Sequence, residues 1–255
     1  MKSIDLNCDL GEDDSASGMQ REAQVLPLVT SANVACGFHA GGPAFMRHTM
    51  SAALEHGVAL GAHPSFADRE HFGRRELQVA PERIYEDMLY QIGAAAAIAG
   101  SLGARLNHVK PHGALYNMAA RDAVLADAIA RAVRDFDPGL ILFGLSGSRL
   151  LEAGAGHGLQ CAAEVFADRS YQPDGSLTLR SQPGALIEDA DAAAAQVLQM
   201  LRERVVTTLD GREIPIAAET ICIHGDSPQA PLFAARLRSA LKSAGVAIEP
   251  IVRGN

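Results

Sequence analysis

Short apolar runs alternate with longer Ala-rich stretches along the whole 255-residue chain, the pattern of repeated β/α units. The short runs predict strands at 3–9, 31–38, 58–62, 105–110, 140–145, 159–165 and 220–224. Helical spacing of apolar positions predicts helices over 43–56, 81–101, 120–135, 190–204 and 227–244. Gly57, Gly103 and Gly245 follow three of these as stops, and Pro43 and Pro81 suit first-turn positions. Two segments break the alternation: 171–180, around Pro173-Asp174-Gly175, and 207–216, around Asp210-Gly211, both predicted as small hairpins inserted in loops. No repeat or linker divides the chain. The expectation is a single domain of the α/β class, a (β/α) barrel of about seven parallel strands.

Alternate side chains of a barrel strand point to opposite faces. In the first strand Ile4, Leu6 and Cys8 share one face, under the helices, and Asp5, Asn7 and Asp9 share the other. By the same period Asn33, Ala35, Gly37 and His39 go together, as do Ala59, Gly61 and His63, then His108, Lys110 and His112, and finally Cys222, His224 and Asp226. The polar residues gather on one face and thicken toward the C-terminal ends of the strands, where α/β barrels build their sites. An ordinary barrel core carries branched apolar residues at these positions. A polar lining costs desolvation unless ligands, water or a metal satisfy it.

Composition narrows the field. Apolar residues make up 48% and charged residues 20%, enough for a sizeable core. A net charge of −8 argues against nucleic acid or an anionic membrane as partner. No apolar run approaches the roughly 20 residues of a bilayer span, and the first residues carry no signal-peptide pattern. Cys8, Cys36, Cys161 and Cys222 are far apart in apolar stretches and read as buried reduced thiols. These features fit a cytoplasmic enzyme.

At the strand ends the chain resembles the LamB/YcsF family of 5-oxoprolinase subunits. The stretches that carry the resemblance are Asp5-Leu6-Asn7-Cys8-Asp9-Leu10-Gly11-Glu12, the run from Ser31 to Gly41, Gly61-Ala62-His63-Pro64-Ser65 and Phe72-Gly73-Arg74-Arg75. Val109-Lys110-Pro111-His112-Gly113-Ala114-Leu115-Tyr116, Phe166 to Tyr171 and His224-Gly225-Asp226 complete it, in the family's order. Gly42 departs from it, standing where many relatives carry an acid. The resemblance implies a glycoside hydrolase/deacetylase-like barrel. It also implies cleavage of 5-oxo-L-proline to L-glutamate coupled to ATP hydrolysis, in a complex with separate B and C subunits.

A lactam carbonyl is a poor electrophile, so such a rim needs a base for water, positive groups for phosphate and an acid for the leaving nitrogen. Asp9 and Glu12 are candidates for the base or for a metal. Lys110 is the candidate for stabilising oxyanion or phosphate charge, and its bland alternative is an internal ion pair with Asp9 or Asp226. His63 and His112 are candidate proton carriers, and Asp226 would orient His224 or an attacking water. Asn7, Asn33, His39 and His224 are candidate substrate contacts. Arg74 and Arg75 suit a carboxylate or phosphate, against the alternative of loop-anchoring ion pairs. His48, His56, His71 and His157 make no claim on the site. Ser146-Gly147-Ser148 precedes an apparent helix and reads as an N-cap, with anion binding at the helix N-terminus as the alternative. No phosphate loop or dinucleotide fingerprint is present, so ATP is expected to bind with the partner subunits. A divalent metal on Asp9, His39, His63 and His112 is a further candidate. Two other functions fit the same residues: a stand-alone metal-dependent deacylase or deacetylase, and a non-catalytic 5-oxoproline-binding subunit.

Overall fold

A computed structural model describes residues 3–224 and 229–253. Seven parallel strands form its centre: β1 (Ser3–Leu10), β2 (Ser31–Ala35), β3 (Ala59–His63), β4 (His108–Val109), β5 (Ile141–Leu145), β6 (Cys161–Phe166) and β7 (Thr220–His224). Each pairs with the next, and β7 returns to β1, so the sheet closes into a barrel and leaves no edge. Register carries the face from strand to strand. Asp9 lies opposite Asn33, Asn33 opposite Gly61, Gly61 opposite His108 and His108 opposite Ile141.

Two strands are shorter than their apolar runs suggest. β2 stops at Ala35, and the chain turns away through Gly37 at φ 94°, so a loop rather than a strand end delivers His39. β4 has only two residues because Pro111 has no N–H to extend the ladder. Lys110 still donates its N–H to the Ala62 carbonyl, so the backbone stays in line.

The outward faces of the strands pack beneath the helices Pro43–Glu55, Pro81–Ser101, Ala123–Phe136, Ala190–Glu203 and Ala230–Ser243. The helix expected from residue 120 begins later because the Asp122 carboxylate caps it, accepting from the N–H groups of Val124 and Leu125. Gly57, Gly103 and Gly245 all have positive φ, which explains three clean helix stops. Helices Ala16–Val25 and Gly113–Ala119 are additional to those predicted, and Arg149–Gly156 is the helix expected after residue 148, capped by Ser148. Both expected hairpins form, through the Tyr171–Leu177 bridge and the pairing of Val205–Thr207 with Glu213–Pro215. Among the described residues no helix is long and apolar enough to cross a membrane.

Candidate active site

The barrel interior is polar on the side of β1 to β4, in three layers. In the lowest, Asp5 accepts hydrogen bonds from the hydroxyls of Thr30, Ser31 and Thr220. Burial still pushes its carboxyl above the ordinary range.

The middle layer is an amide network. Asn7 donates to Glu164 at 2.9 Å and Thr220 at 2.7 Å, and Asn33 donates to Asn7 at 2.7 Å and Asp9 at 2.8 Å. Asn33 has then used both amide hydrogens, so its oxygen accepts from Nε2–H of His108 at 2.7 Å. The His108 ring stacks on Phe143 with centroids 4.2 Å apart. Burial, then the nearby Lys110 charge, pushes this histidine down to about 3, so it is neutral near pH 7. Gly61 makes room for it: a Cβ there would sit 2.0 Å from His108 Nε2.

The upper layer centres on Lys110, which is 2% exposed. Its ammonium lies 2.9 Å from Asp9 Oδ1, 2.8 Å from Glu164 Oε1, 3.3 Å from Asn7 Oδ1 and 3.0 Å from Cys222 Sγ. Burial alone would lower its pKa, but Asp9, followed by Cys222 and Glu164, outweighs burial and holds it well above the ordinary value. The ion pair read as the bland alternative is therefore present with Asp9, and Glu164 joins it. Tyr116 donates its hydroxyl to Glu164 Oε2 at 2.6 Å, with burial, then Glu164, holding the phenol well above its usual pKa.

Beside this layer lie Glu12, His39, His63 and His112. Glu12 Oε1 is 3.1 Å from His39 Nε2, 3.3 Å from His112 Nδ1 and 3.9 Å from His63 Nε2. The rings of His39 and His112 stack at 3.8 Å. Burial, and then the neighbouring histidines, holds both well below the ordinary imidazole value. One ligand atom from each of the four residues lies within 4.8 Å of the others. Glu12 supplies the carboxylate of this group; Asp9 directs Oδ1 to Lys110 and Asn33 and has Oδ2 3.5 Å from His63 Nε2.

A cavity of about 610 Å³ opens onto Asp9, His63, Lys110 and His112, within the size range of small-molecule sites. The 171–180 hairpin and Arg169 form part of its wall. Arg74 also lines it, with its guanidinium over the Phe72 ring at 4.6 Å. Arg75 does not. It points to Asp68 at 3.5 Å, the loop-anchoring alternative, because Asp68 also takes His71 at 2.9 Å and collects positive partners. Asn7, Asn33 and His39 are buried and do not line the cavity; Asn7 and Asn33 hydrogen-bond Asp9 and Lys110, which do. Asp226 and the side chain of His224 lie outside the described residues. Cys8, Cys36 and Cys222 are buried free thiols, whereas Cys161 is only partly buried.

Glu164, Tyr116 and Arg169 received no role from sequence. Glu164 had a readable signal: it is the one charged residue in an otherwise apolar strand, and it shares the parity of Ala162 and Phe166. Arg169 donates to the carbonyls of Thr178 and Ala185, a hairpin arrangement that no spacing announces.

Comparison with known proteins places this architecture. The chain is 57% identical over 247 residues to the 5-oxoprolinase A subunit of Bordetella pertussis, covering 97% of this chain and 98% of that one. The lactam utilization protein of Thermus thermophilus superposes with a TM-score of 0.91 at 47% identity, covering 98% of this chain and all of the other. The catalytic domain of a peptidoglycan N-acetylglucosamine deacetylase from Eubacterium rectale shares the fold alone, with a TM-score of 0.53 at 10% identity, over 98% and 89% of the two chains. Residues 4–255 match the LamB/YcsF profile, and the chain belongs to the LamB/YcsF family.

Proposed function

We propose that this chain is the A subunit of an ATP-dependent 5-oxoprolinase and opens the lactam ring of 5-oxo-L-proline to L-glutamate with partner subunits B and C. The observation that carries the reading is the buried Lys110 ammonium, held by Asp9 and Glu164 at a cavity that also presents His63, His112 and Arg74. Support for the substrate and the partners comes from relatives named as the A subunit of 5-oxoprolinase.

Ring opening adds water across the bond between carbon five and the ring nitrogen. The hydroxyl goes to carbon and the proton to nitrogen. Nitrogen donation stabilises the carbonyl, and phosphorylation of its oxygen by ATP, with ADP leaving, removes that stabilisation. Water addition and C–N cleavage then leave an acyl phosphate, from which a second water releases inorganic phosphate. The nucleotide would be handled jointly with the partner chains. Within this chain, Lys110 faces the oxygen as charge develops on it, where a fixed ammonium in a dry site acts more strongly than in water. Asp9 takes the proton of the attacking water and passes it to the leaving nitrogen. Arg74 pairs with the free carboxylate of the substrate. Asn7, Asn33 and Glu164 hold Asp9 and Lys110 in place.

The test combines the chain with subunits B and C, ATP and 5-oxoproline, and measures glutamate and ADP. Glutamate forms only with all components present, and Asp9→Asn lowers turnover by about 100-fold or more. Turnover unchanged in Asp9→Asn removes that residue from the chemistry. Ring opening by the isolated chain without ATP overturns the reading in favour of a stand-alone hydrolase.

A further inference from the structure

We propose that Glu12, His39, His63 and His112 form a binding site for one divalent transition-metal ion of the zinc class in the wall of the cavity. The inference goes beyond the ring-opening reading and stands if that reading fails, because it rests on the tautomers of His63 and His112 and on the convergence of four ligand atoms.

The tautomers decide it. His63 Nδ1 lies 2.7 Å from the Lys110 carbonyl, and His112 Nε2 lies 2.8 Å from the Phe72 carbonyl. A carbonyl only accepts, so each of these nitrogens carries its ring's proton. The other two nitrogens, His63 Nε2 and His112 Nδ1, therefore present lone pairs, and they face each other at 3.0 Å. The Glu12 carboxylate and the second oxygen of Asp9, 3.5 Å from His63 Nε2, add negative charge to the same point. Two lone pairs facing each other at 3.0 Å in a buried space need a positive species between them. His39 Nε2 faces Glu12 Oε1 at 3.1 Å while its Nδ1 is buried without a hydrogen-bond partner, so an ion at Nε2 would move the ring proton to Nδ1 and take a third lone pair.

The spacing fits an ion better than a proton. Ligand atoms about 2.0–2.1 Å from a tetrahedral ion stand roughly 3.3–3.4 Å from one another. The separations here, 3.0, 3.1, 3.3 and 3.9 Å, bracket that value. A proton bridges the His63–His112 pair alone, whereas an ion can take one atom from each of the four residues. Backbone carbonyls on the far nitrogens of His63 and His112 are the outer-shell partners that orient metal-ligating histidines. The ligand set, three imidazoles and one carboxylate, suits zinc or cobalt better than magnesium or calcium. His63 and His112 also line the cavity, so a bound ion is within reach of its contents.

The test uses the full chain, purified without a metal-affinity tag and dialysed against Zn²⁺ and separately against Co²⁺. One equivalent of zinc per chain is expected, with cobalt absorption bands carrying an imidazole-ligand signature. The paired variant Glu12→Gln/His112→Gln should bind more than about 100-fold more weakly, since even outer-shell partners contribute about 10–100-fold. His157→Gln, altering a histidine paired with Asp127 on another face, should keep the full equivalent. Should the ligand variants fail to fold, imidazole nitrogen NMR of the unaltered chain decides. Metal-induced shifts of His63 Nε2 and His112 Nδ1 support the site. A protonated His63–His112 pair that ignores added zinc overturns it, as does zinc retained equally by the paired variant.

Discussion

β1 and β5 lie on opposite sides of the barrel and line its interior with opposite chemistry. β1 presents Asp5, Asn7 and Asp9 inward; β5 presents Ile141, Phe143 and Leu145. Both strands are equally buried, so burial does not separate them. What separates them is satisfaction: each inward polar side chain of β1 has partners on neighbouring strands, while β5 needs none. The polar side is costly to desolvate and holds together only as a complete network, whereas the apolar side stabilises by packing. One half of the barrel is therefore built for chemistry, and the other is the wall it leans on.

The largest effect expected from breaking this arrangement is at Lys110. Lys110→Met leaves Asp9 and Glu164 facing each other unpaired, so turnover of the assembled enzyme is lost and stability falls by about 3–5 kcal/mol. Glutamate release and denaturant unfolding measure the two effects. Phe143→Ala on the apolar side is expected to cost a similar 3–5 kcal/mol while the folded protein keeps its turnover within a few-fold. Equal loss of activity in both variants would erase the distinction between the halves.

Next comes pH. His108 is neutral in the fold, with its pKa pushed down to about 3, against about 6.5 when unfolded. Between those values the unfolded chain binds the extra proton, so stability rises with pH and falls on acidification from about 6.5 toward about 3. Melting temperature should drop across that window, less steeply in His108→Gln. The smallest contrast is between neighbouring arginines. Arg74→Gln should raise the KM for the lactam about tenfold through loss of a charged hydrogen bond. Arg75→Gln should change it less than about twofold, since its guanidinium is 54% exposed beside Asp68.

Strand number, the inward faces of β1 to β4 and most helix ends were legible in the sequence, because side-chain period and capping chemistry are local. The Asp9–Lys110 pair was legible as an alternative. Glu164 was not, although its charge in an apolar strand was visible, because nothing in a single strand says which partner its face will meet. His39 was anticipated at a strand end and arrives by a loop, since backbone turns at glycine override the two-residue period.

By itself, the sequence determined which residues share a face, since alternation along a strand needs no neighbour. Only the tertiary structure decided which faces confront one another. Asn7 meets Thr220 across 213 residues and Glu164 across 157, contacts that exist only once the sheet has closed in one register. The same closure seated Glu12 among His39, His63 and His112 and turned Asp9 Oδ1 to Lys110 and Asn33. A chain segment encodes its own periodicity, whereas competition between partners is settled in three dimensions.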